Sequence, residues 1–339
     1  MANQTYIVAE LSANHGHKLE NALASVRAAK EAGADAIKIQ TYTSDTMTLD
    51  CESEDFMVHT GTIWDGISLY KLYQQAYTPW EWHKAIFDEA RRVGIDCFST
   101  PFDKSAVDFL EELGNPIYKI ASFEITDIPL IEYAASKHKP MVISTGIATP
   151  DDIQLALDAC KRVGNEDVTL LHCVSAYPAP MELVNLRTMM DMAARYGVRV
   201  GLSDHTMGAD VAIAAVALGA TMVEKHFILD KNIGGPDAAF SMQQDEFAAM
   251  VQSIRNVVKA LGTVAYKLDP SSIKGREFSR SLYVAEDMKA GDVITEQNVR
   301  SVRPGYGLAP KYLPEIIGKK VNGDLTRGDR MQLEYIDKC

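Results

Sequence analysis

Short apolar segments alternate with amphipathic helical patterns along most of the chain, and this alternation constrains the fold more than any other feature. Most of these segments are continuously apolar, which is typical of parallel strands covered on both faces. Eight strand–helix units within about 260 residues match the size of a closed (β/α)8 barrel. The predicted strands are Tyr6–Ser12, Ala36–Thr41, Ile95–Pro101, Ile117–Ser122, Met141–Gly146, Val168–Val174, Val198–Asp204 and Thr221–Phe227.

An open, doubly wound sheet is the alternative fold for such an alternation. That fold more often carries a glycine-rich turn after its first strand, and the stretch Glu10–His15 is not one. We therefore predict an α/β protein whose catalytic domain, residues 1–265, is a (β/α)8 TIM barrel.

Two parts of the chain do not follow the alternation. Residues 42–78 form an insertion after the second strand that is too long for an ordinary loop, and we expect it to lie over the barrel mouth. Residues 266–279 form a polar linker. Residues 280–339 contain short strand patterns and turns, which predict a small, separate, β-rich domain.

Charge and cysteine usage limit the partners and the compartment. The net charge of −12 argues against nucleic acid or an anionic membrane surface as a partner. The five cysteines are scattered without a CxxC pair, which fits a reducing cytoplasm better than a disulfide framework. The N-terminus lacks the pattern of a secretory signal, and no apolar run approaches the ~20 residues that span a bilayer. Cys97 and Cys173 lie in apolar strand patterns, where cysteine is usually a small core residue.

Lysines and hydroxyl side chains occur at the carboxyl ends of the predicted strands, where barrel enzymes carry out their chemistry. Lys38 lies within an apolar strand, and a buried lysine is costly unless an anion pairs with it. A structural Lys–Glu pair is one explanation. A phosphate-binding cluster is the other, and it would combine Lys38 and Lys119 with the hydroxyls of Thr100, Ser122 and Ser144.

Two histidines end neighbouring strands of the predicted barrel. His205 and His226 close the seventh and eighth strands, flanked by Asp204 and Glu224. Two neutral imidazoles on adjacent strands are a common way to hold a divalent metal, although a lone strand histidine is more often a hydrogen-bonded core residue. Because no cysteine lies nearby, a hard ion with open water positions is favoured over structural zinc.

The strand ends, read in order, resemble the sialic acid synthase family, the phosphoenolpyruvate-dependent nonulosonate synthases. The tail motif Arg303–Gly307 resembles the antifreeze-like (SAF, β-clip) domain of that family. The resemblance covers essentially the whole chain. The matching motifs are Ala9–Glu10, Asn14–His15, Lys38–Thr41, Ser99–Phe102, Tyr118–Ile120, Ser144–Gly146, Leu171–Cys173, Tyr177–Pro178, Gly201–Thr206, Glu224–Phe227 and Gly235–Asp237.

The resemblance implies roles for individual residues. It implies manganese or magnesium on His205 and His226, which would act in catalysis together with Glu124. It also implies a homodimer in which Arg303 reaches the partner's site. The residues implied for phosphoenolpyruvate are Lys38, Thr100, Lys119, Ser122, Ser144 and Ser175. The residues implied for an acetamido sugar are Asn14, Gln40, Tyr177, Asp237 and Arg303.

Within the family, the chain is most similar to the pseudaminic acid synthases. Phe123 interrupts the Gly-Ser-Gly-Glu pattern of sialic acid synthases, and Ser175 replaces their asparagine. The implied sugar is 2,4-diacetamido-2,4,6-trideoxy-altrose. The alternatives are an N-acetylneuraminate or legionaminate synthase, an aldolase with a Schiff-base lysine at Lys119 or Lys225, and a non-enzymatic ice- or sugar-binding protein that uses only the tail.

Overall fold

The computed structural model describes residues 5–59 and 66–337 of the chain. The chain divides into two compact units, Met1–Gly262 and Thr263–Cys339. No helix in the described ranges is long and apolar enough to cross a membrane.

The first unit is a closed barrel of eight parallel strands, which confirms the predicted fold class. Strand β1 pairs with both β2 and β8, so that Glu10 lies level with Lys38 on one side and with His226 on the other. The strands are β1 Tyr6–Glu10, β2 Ala36–Thr41, β3 Asp96–Pro101, β4 Tyr118–Ile120, β5 Met141–Ser144, β6 Val168–Cys173, β7 Arg199–Asp204 and β8 Met222–His226.

Several strands are one or two residues shorter than the sequence predicts. The clearest case is β4, which ends at Ile120 because Ser122–Glu124 turns into a 3-10 helix. This turn brings Ser122 and Glu124 to the barrel mouth.

Helices follow the strands and cover the outside of the barrel. Local sequence sets their limits: α7 begins with a capping box between Thr149 and Asp152, and α4 ends at Gly94, whose φ of 70° favours glycine. The helices of this unit are α1 Leu19–Glu31, α2 Ser44–Met47, α3 Leu69–Ala76, α4 Trp80–Val93, α5 Lys104–Glu112, α6 Ile128–Ala135, α7 Pro150–Arg162, α8 Arg187–Tyr196, α9 Asp210–Ala217 and α10 Gln244–Leu261.

Successive side chains of each strand point alternately into two apolar environments. A large cluster, which includes Ile37, Ile39 and Val223, packs between the sheet and the helices. A small cluster, which includes Val8, Ala36 and Leu171, fills the bottom of the barrel interior. Side chains alternate along a strand, so a polar residue that lies two positions beyond a member of the small cluster also points into the barrel, closer to its mouth.

The insertion after β2 contains α2, the 3-10 helix Glu54–Phe56 and α3. Thr43 and Ser68 cap α2 and α3, and Tyr70 Oη donates to Asp45 Oδ1 at 3.0 Å, which ties the two helices together. Side chains of α2 and α3 line a cavity at the carboxyl ends of the strands. The insertion therefore forms one side of the barrel mouth.

The second unit has a small apolar core of its own that includes Leu282, Val284 and Val299. Two antiparallel strands, β9 Ser281–Val284 and β10 Val299–Val302, form its sheet, in agreement with the β-rich domain predicted for the tail. Its helices are α11 Pro270–Gly275, which lies in the predicted linker, and α12 Leu313–Ile316.

Candidate active site

A cavity of about 340 Å³ opens at the carboxyl ends of the barrel strands. Five of the predicted site residues line it: Gln40, Glu124, Tyr177, His226 and Asp237. Other predicted residues, including both lysines, lie buried on the neighbouring strands β2 to β5.

Lys38 combines the two arrangements that the sequence left open. Its Nζ lies 2.8 Å from Glu10 Oε2 and 3.4 Å from Glu224 Oε1, so a buried Lys–Glu pair is present. The same Nζ donates to Thr100 Oγ1 at 3.1 Å, which joins it to the predicted phosphate cluster. The two carboxylates outweigh desolvation and raise the pKa of Lys38, so this lysine is a cation.

Lys119 has no ion pair within the described ranges. Its Nζ donates to Ser144 Oγ at 2.7 Å and to the Ile120 carbonyl at 3.1 Å. Burial lowers the pKa of Lys119, because desolvation penalises a cation that lacks a carboxylate in contact. An anion placed here would relieve that penalty.

A glycine allows the neighbouring hydroxyls to converge. Gly146 N donates to Ser122 Oγ at 3.1 Å. A Cβ at Gly146 would clash with Ser175 Oγ and would stand 2.8 Å from Ser122 Oγ. The close approach therefore requires glycine, and it places the predicted residues Ser122 and Ser175 at one small polar surface.

The two predicted histidine ligands face each other, with ring centroids 5.3 Å apart. His205 Nδ1 donates to the Val174 carbonyl at 3.0 Å, which leaves its Nε2 as a lone-pair donor. His226 Nδ1 is buried without a hydrogen-bond partner and lies 3.7 Å from Asp237 Oδ2.

This arrangement fits a divalent ion held by two imidazoles, with its other positions open to water and substrate. An orphaned, buried imidazole nitrogen beside a carboxylate is costly unless a ligand satisfies it. No group of three or more His, Cys, Asp or Glu side chains suited to a metal occurs in the part of the chain that the structure describes.

Glu124 faces the cavity at the end of the 3-10 helix. Its Oε2 is buried without a hydrogen-bond partner. Burial raises the pKa of Glu124 to about 7, although the charge of Lys119 opposes the shift. A carboxyl group with such a pKa can exchange a proton near neutral pH.

The remaining predicted residues divide between cavity and scaffold. Gln40 Nε2 donates to Glu10 Oε1 at 2.9 Å, and the Tyr177 ring lies 4.4 Å from that of His205. Asn14 is fully buried, and its amide nitrogen donates to the Phe227 carbonyl and to Ser241 Oγ. These hydrogen bonds connect the segment after β1 with the segment after β8. Arg303 is an exposed residue of the second unit.

Cys173 is a site residue that sequence reasoning missed, and the expectation that no cysteine lies near the two histidines is wrong. It is buried, as expected for a core cysteine, but its Sγ lies 3.7 Å from His205 Nδ1. Cys173 belongs to the strand face that points into the barrel. Two-residue alternation from Leu171, which belongs to the interior cluster, could have revealed this position.

The chain was compared with known families and structures. The NeuB family matches residues 25–266, and the SAF domain matches residues 279–329. The chain is 47% identical to the pseudaminic acid synthase of Campylobacter jejuni strain 81-176, over 97% of this chain and 96% of that protein. It is 36% identical to the N,N'-diacetyllegionaminic acid synthase of Legionella pneumophila, over 98% and 94%.

A solved structure also resembles this one. The N-acetylneuraminic acid synthetase of Leptospira borgpetersenii superimposes with a TM-score of 0.72 at 30% identity, covering 80% of this chain and 90% of that one. The barrel and the SAF domain thus agree with the resemblance found in the sequence. The chain belongs to the NeuB family.

Proposed function

We propose that this enzyme condenses phosphoenolpyruvate with 2,4-diacetamido-2,4,6-trideoxy-altrose to give pseudaminic acid and phosphate. One observation carries the reaction type: two buried lysines, two neighbouring imidazoles and a carboxyl group with a pKa of about 7 lie at one barrel mouth. The greater identity to a pseudaminic acid synthase than to a legionaminic acid synthase supports the choice of sugar.

Phosphoenolpyruvate would bind at the buried polar floor. Lys38 and Lys119 would neutralise its phosphate and carboxylate, and hydroxyl groups of Thr100, Ser122, Ser144 and Ser175 would donate to its oxygens. Lys119 is available because it has only neutral partners, Ser144 and the Ile120 carbonyl. Lys38 would share its charge between the substrate and Glu10.

Manganese or magnesium would bind to His205 and His226. When bound, such an ion polarises the aldehyde oxygen of an open-chain sugar. The Val174 carbonyl fixes the His205 ring, and Asp237 lies beside His226. Tyr177, Gln40 and Asp237 line the same cavity and would orient the sugar, so that its aldehyde carbon faces C3 of phosphoenolpyruvate.

The new carbon–carbon bond forms when C3 of phosphoenolpyruvate attacks the aldehyde carbon, which leaves positive charge at C2. Ionised Glu124 would stabilise this charge and accept a proton from the water that adds at C2. The resulting tetrahedral intermediate expels phosphate by cleavage of the C–O bond, leaving the 2-keto acid. Of the two protons of the added water, one ends on the former aldehyde oxygen, which becomes a hydroxyl group, and the other leaves with phosphate, so no oxidant is needed.

The assembly belongs to this proposal as well. The protein would act in the cytoplasm as a homodimer, with Arg303 from one subunit contacting an acetamido oxygen in its partner's site. The exposed position of Arg303 and the family relationship support this arrangement. A cover over the mouth is chemically useful because bulk water would quench the cationic intermediate early.

The test is phosphate release from phosphoenolpyruvate, measured with manganese present against a panel of acetamido sugars. We expect the highest kcat/KM with 2,4-diacetamido-2,4,6-trideoxy-altrose. An equal or higher kcat/KM with N-acetylmannosamine, or with the legionaminic acid precursor, would contradict the choice of sugar.

An aldolase with a Schiff-base lysine is the competing reaction type. Lys225 is unsuited to that role because it is buried in an ion pair with Asp204 on the outer face of the barrel. Lys119 has the lowered pKa that such a lysine needs. Incubation with pyruvate and borohydride should leave activity and mass unchanged, since the synthase forms no imine. A covalent adduct on Lys119 would establish the aldolase instead.

A further inference from the structure

The cavity is lined by side chains of two chemical kinds. Gln40, Glu124 and Asp237 have polar side chains. Met47, Leu72 and Phe102 have apolar side chains, and we call these three residues the apolar wall. Two of them come from the insertion after β2, so the wall is an addition to the barrel rather than part of its strand ends.

We propose that the apolar wall recognises the C6 methyl group of the 6-deoxy sugar and excludes sugars that carry a 6-hydroxyl. This inference rests on the proposed function. The acetamido groups also end in methyl groups, but each carries N–H and C=O groups that need polar partners, whereas the C6 methyl carries no polar group. Of the substituents on this sugar, the C6 methyl is therefore the one that an apolar surface suits best.

Local contacts hold the wall in place before substrate binds. The buried Tyr42 ring packs edge-on against Phe102, with ring centroids 5.2 Å apart, and against Tyr73 at 5.8 Å. Met47 is the last residue of α2 and Leu72 lies in α3, and the hydrogen bond from Tyr70 to Asp45 joins these helices. Two of the wall residues thus lie in capped helices that are joined to each other, and the third, Phe102, packs against a buried tyrosine.

The physical basis of selection is the loss of hydrogen bonds to water. A methyl group gains by leaving water for the wall, whereas a hydroxyl group in the same place gives up its water and finds no hydrogen-bond partner on these three side chains. Apolar pockets discriminate against an added hydroxyl by roughly tenfold to a hundredfold. We expect a ratio of kcat/KM in this range for the 6-deoxy sugar over its 6-hydroxy counterpart.

The experiment compares Leu72→Gln and Met47→Gln with the wild-type enzyme on both sugars. Each change adds an amide of similar size to the wall. We expect the ratio of kcat/KM for the 6-deoxy sugar over its 6-hydroxy counterpart to fall about tenfold in each variant, because the KM for the 6-deoxy sugar rises. The KM for phosphoenolpyruvate should be unchanged. Leu49→Gln is the matched control: this residue of the same insertion is 66% exposed, and its variant should keep the wild-type preference.

The outcomes separate the two proposals. Wild-type enzyme that releases phosphate with neither sugar would refute the proposed function. Wild-type enzyme that prefers the 6-deoxy sugar, with the same preference in both wall variants, would refute the role of the wall alone, as would an equal change in Leu49→Gln. If a glutamine variant no longer binds phosphoenolpyruvate by calorimetry, Phe102→Tyr supplies the test, because it adds one hydroxyl to the wall and should lower the preference.

Discussion

Lys225 and Asp204 form a buried ion pair directly behind the two histidines of the barrel mouth. Lys225 Nζ lies 2.7 Å from Asp204 Oδ2, and both side chains are 1% exposed. The two residues are register partners on β7 and β8, and each precedes one of the histidines in the chain. Lys225 also donates to the Thr206 carbonyl, and Asp204 accepts from Thr206 N and Oγ1.

Lys225→Met should destabilise the barrel strongly. Removing one partner of a buried pair leaves an uncompensated charge, which typically costs about 3–5 kcal/mol. Urea unfolding would measure the loss. Lys289→Met is the matched control, because its pair with Asp324 is exposed and should contribute little.

The double variant Asp204→Leu/Lys225→Met should recover only part of the lost stability. Two apolar side chains suit that apolar layer, but the change leaves the N–H, hydroxyl and carbonyl groups of buried Thr206 without these partners. We expect it to bind manganese more weakly than wild type in calorimetry, since the pair fixes the register of the strands that carry His205 and His226. A double variant with unchanged manganese affinity would show that the pair does not position the histidines.

Activity should require a divalent ion, and His205→Ala and His226→Ala should each nearly abolish turnover while leaving the fold intact. The reason is that both imidazoles face one space and His226 Nδ1 has no partner. His138→Asn serves as a control, because His138 is an exposed residue in the turn before β5, away from the mouth. Chelator-treated protein that retains full turnover would contradict this prediction.

The two site lysines should differ when replaced. Lys119→Ala and Lys38→Ala should each lower the affinity for phosphoenolpyruvate at least about tenfold, because charge-assisted contacts contribute roughly 1.5–3 kcal/mol. Lys38→Ala should also destabilise the fold, since it leaves Glu10 and Glu224 buried together without their cation. Calorimetry and urea unfolding measure the two effects. Normal binding by both variants would show that the phosphate site lies elsewhere.

Much of this architecture could be predicted from the sequence because barrel strands obey simple periodicities. The apolar runs located all eight strands, and polar residues within them, such as Lys38, stood out. The partners of those residues could not be predicted, because they depend on the cross-strand register. Glu10 meets Lys38 across the β1–β2 pairing, and Cys173 meets His205 across β6 and β7. The apolar wall depends on the packing of an irregular insertion, for which no periodicity applies.

The pKa of Glu124 predicts a pH dependence of stability. Burial raises this pKa to about 7, so the folded protein binds more protons than the unfolded chain between about pH 4.5 and 7. The contribution of Glu124 to stability is therefore full below this window and is lost as the pH rises through it. Glu124→Gln should remove this loss and be the more stable protein at pH 8, by on the order of 3 kcal/mol, since each pKa unit corresponds to about 1.4 kcal/mol.

The same variant tests the role of Glu124 in turnover. Wild-type kcat/KM should rise with pH through about 7 as the carboxyl group ionises, whereas Glu124→Gln should be nearly inactive at every pH. Glu166→Gln is a control, because Glu166 is an exposed residue just before β6, at the end of the barrel opposite to the mouth. A wild-type profile that is flat between pH 6 and 8 would count against Glu124 as the proton acceptor.

The last prediction concerns the proposed contribution of Arg303 to the partner's site. In a twofold dimer, every site would combine one subunit's barrel with the other subunit's Arg303. Homodimers of His226→Ala and of Arg303→Ala should then both be nearly inactive. In a heterodimer of the two variants, one site carries both changes and the other carries neither.

The purified heterodimer, isolated with two different affinity tags after co-expression, should recover about half of the wild-type activity by that site count. If Arg303 acted on its own barrel, each site would carry one change and mixing would restore nothing. Arg300→Ala supplies the control, because Arg300 is an exposed arginine of the adjacent strand β10. Its homodimer should be active, so that a loss specific to Arg303→Ala reflects the position of that side chain and not the charge of the domain.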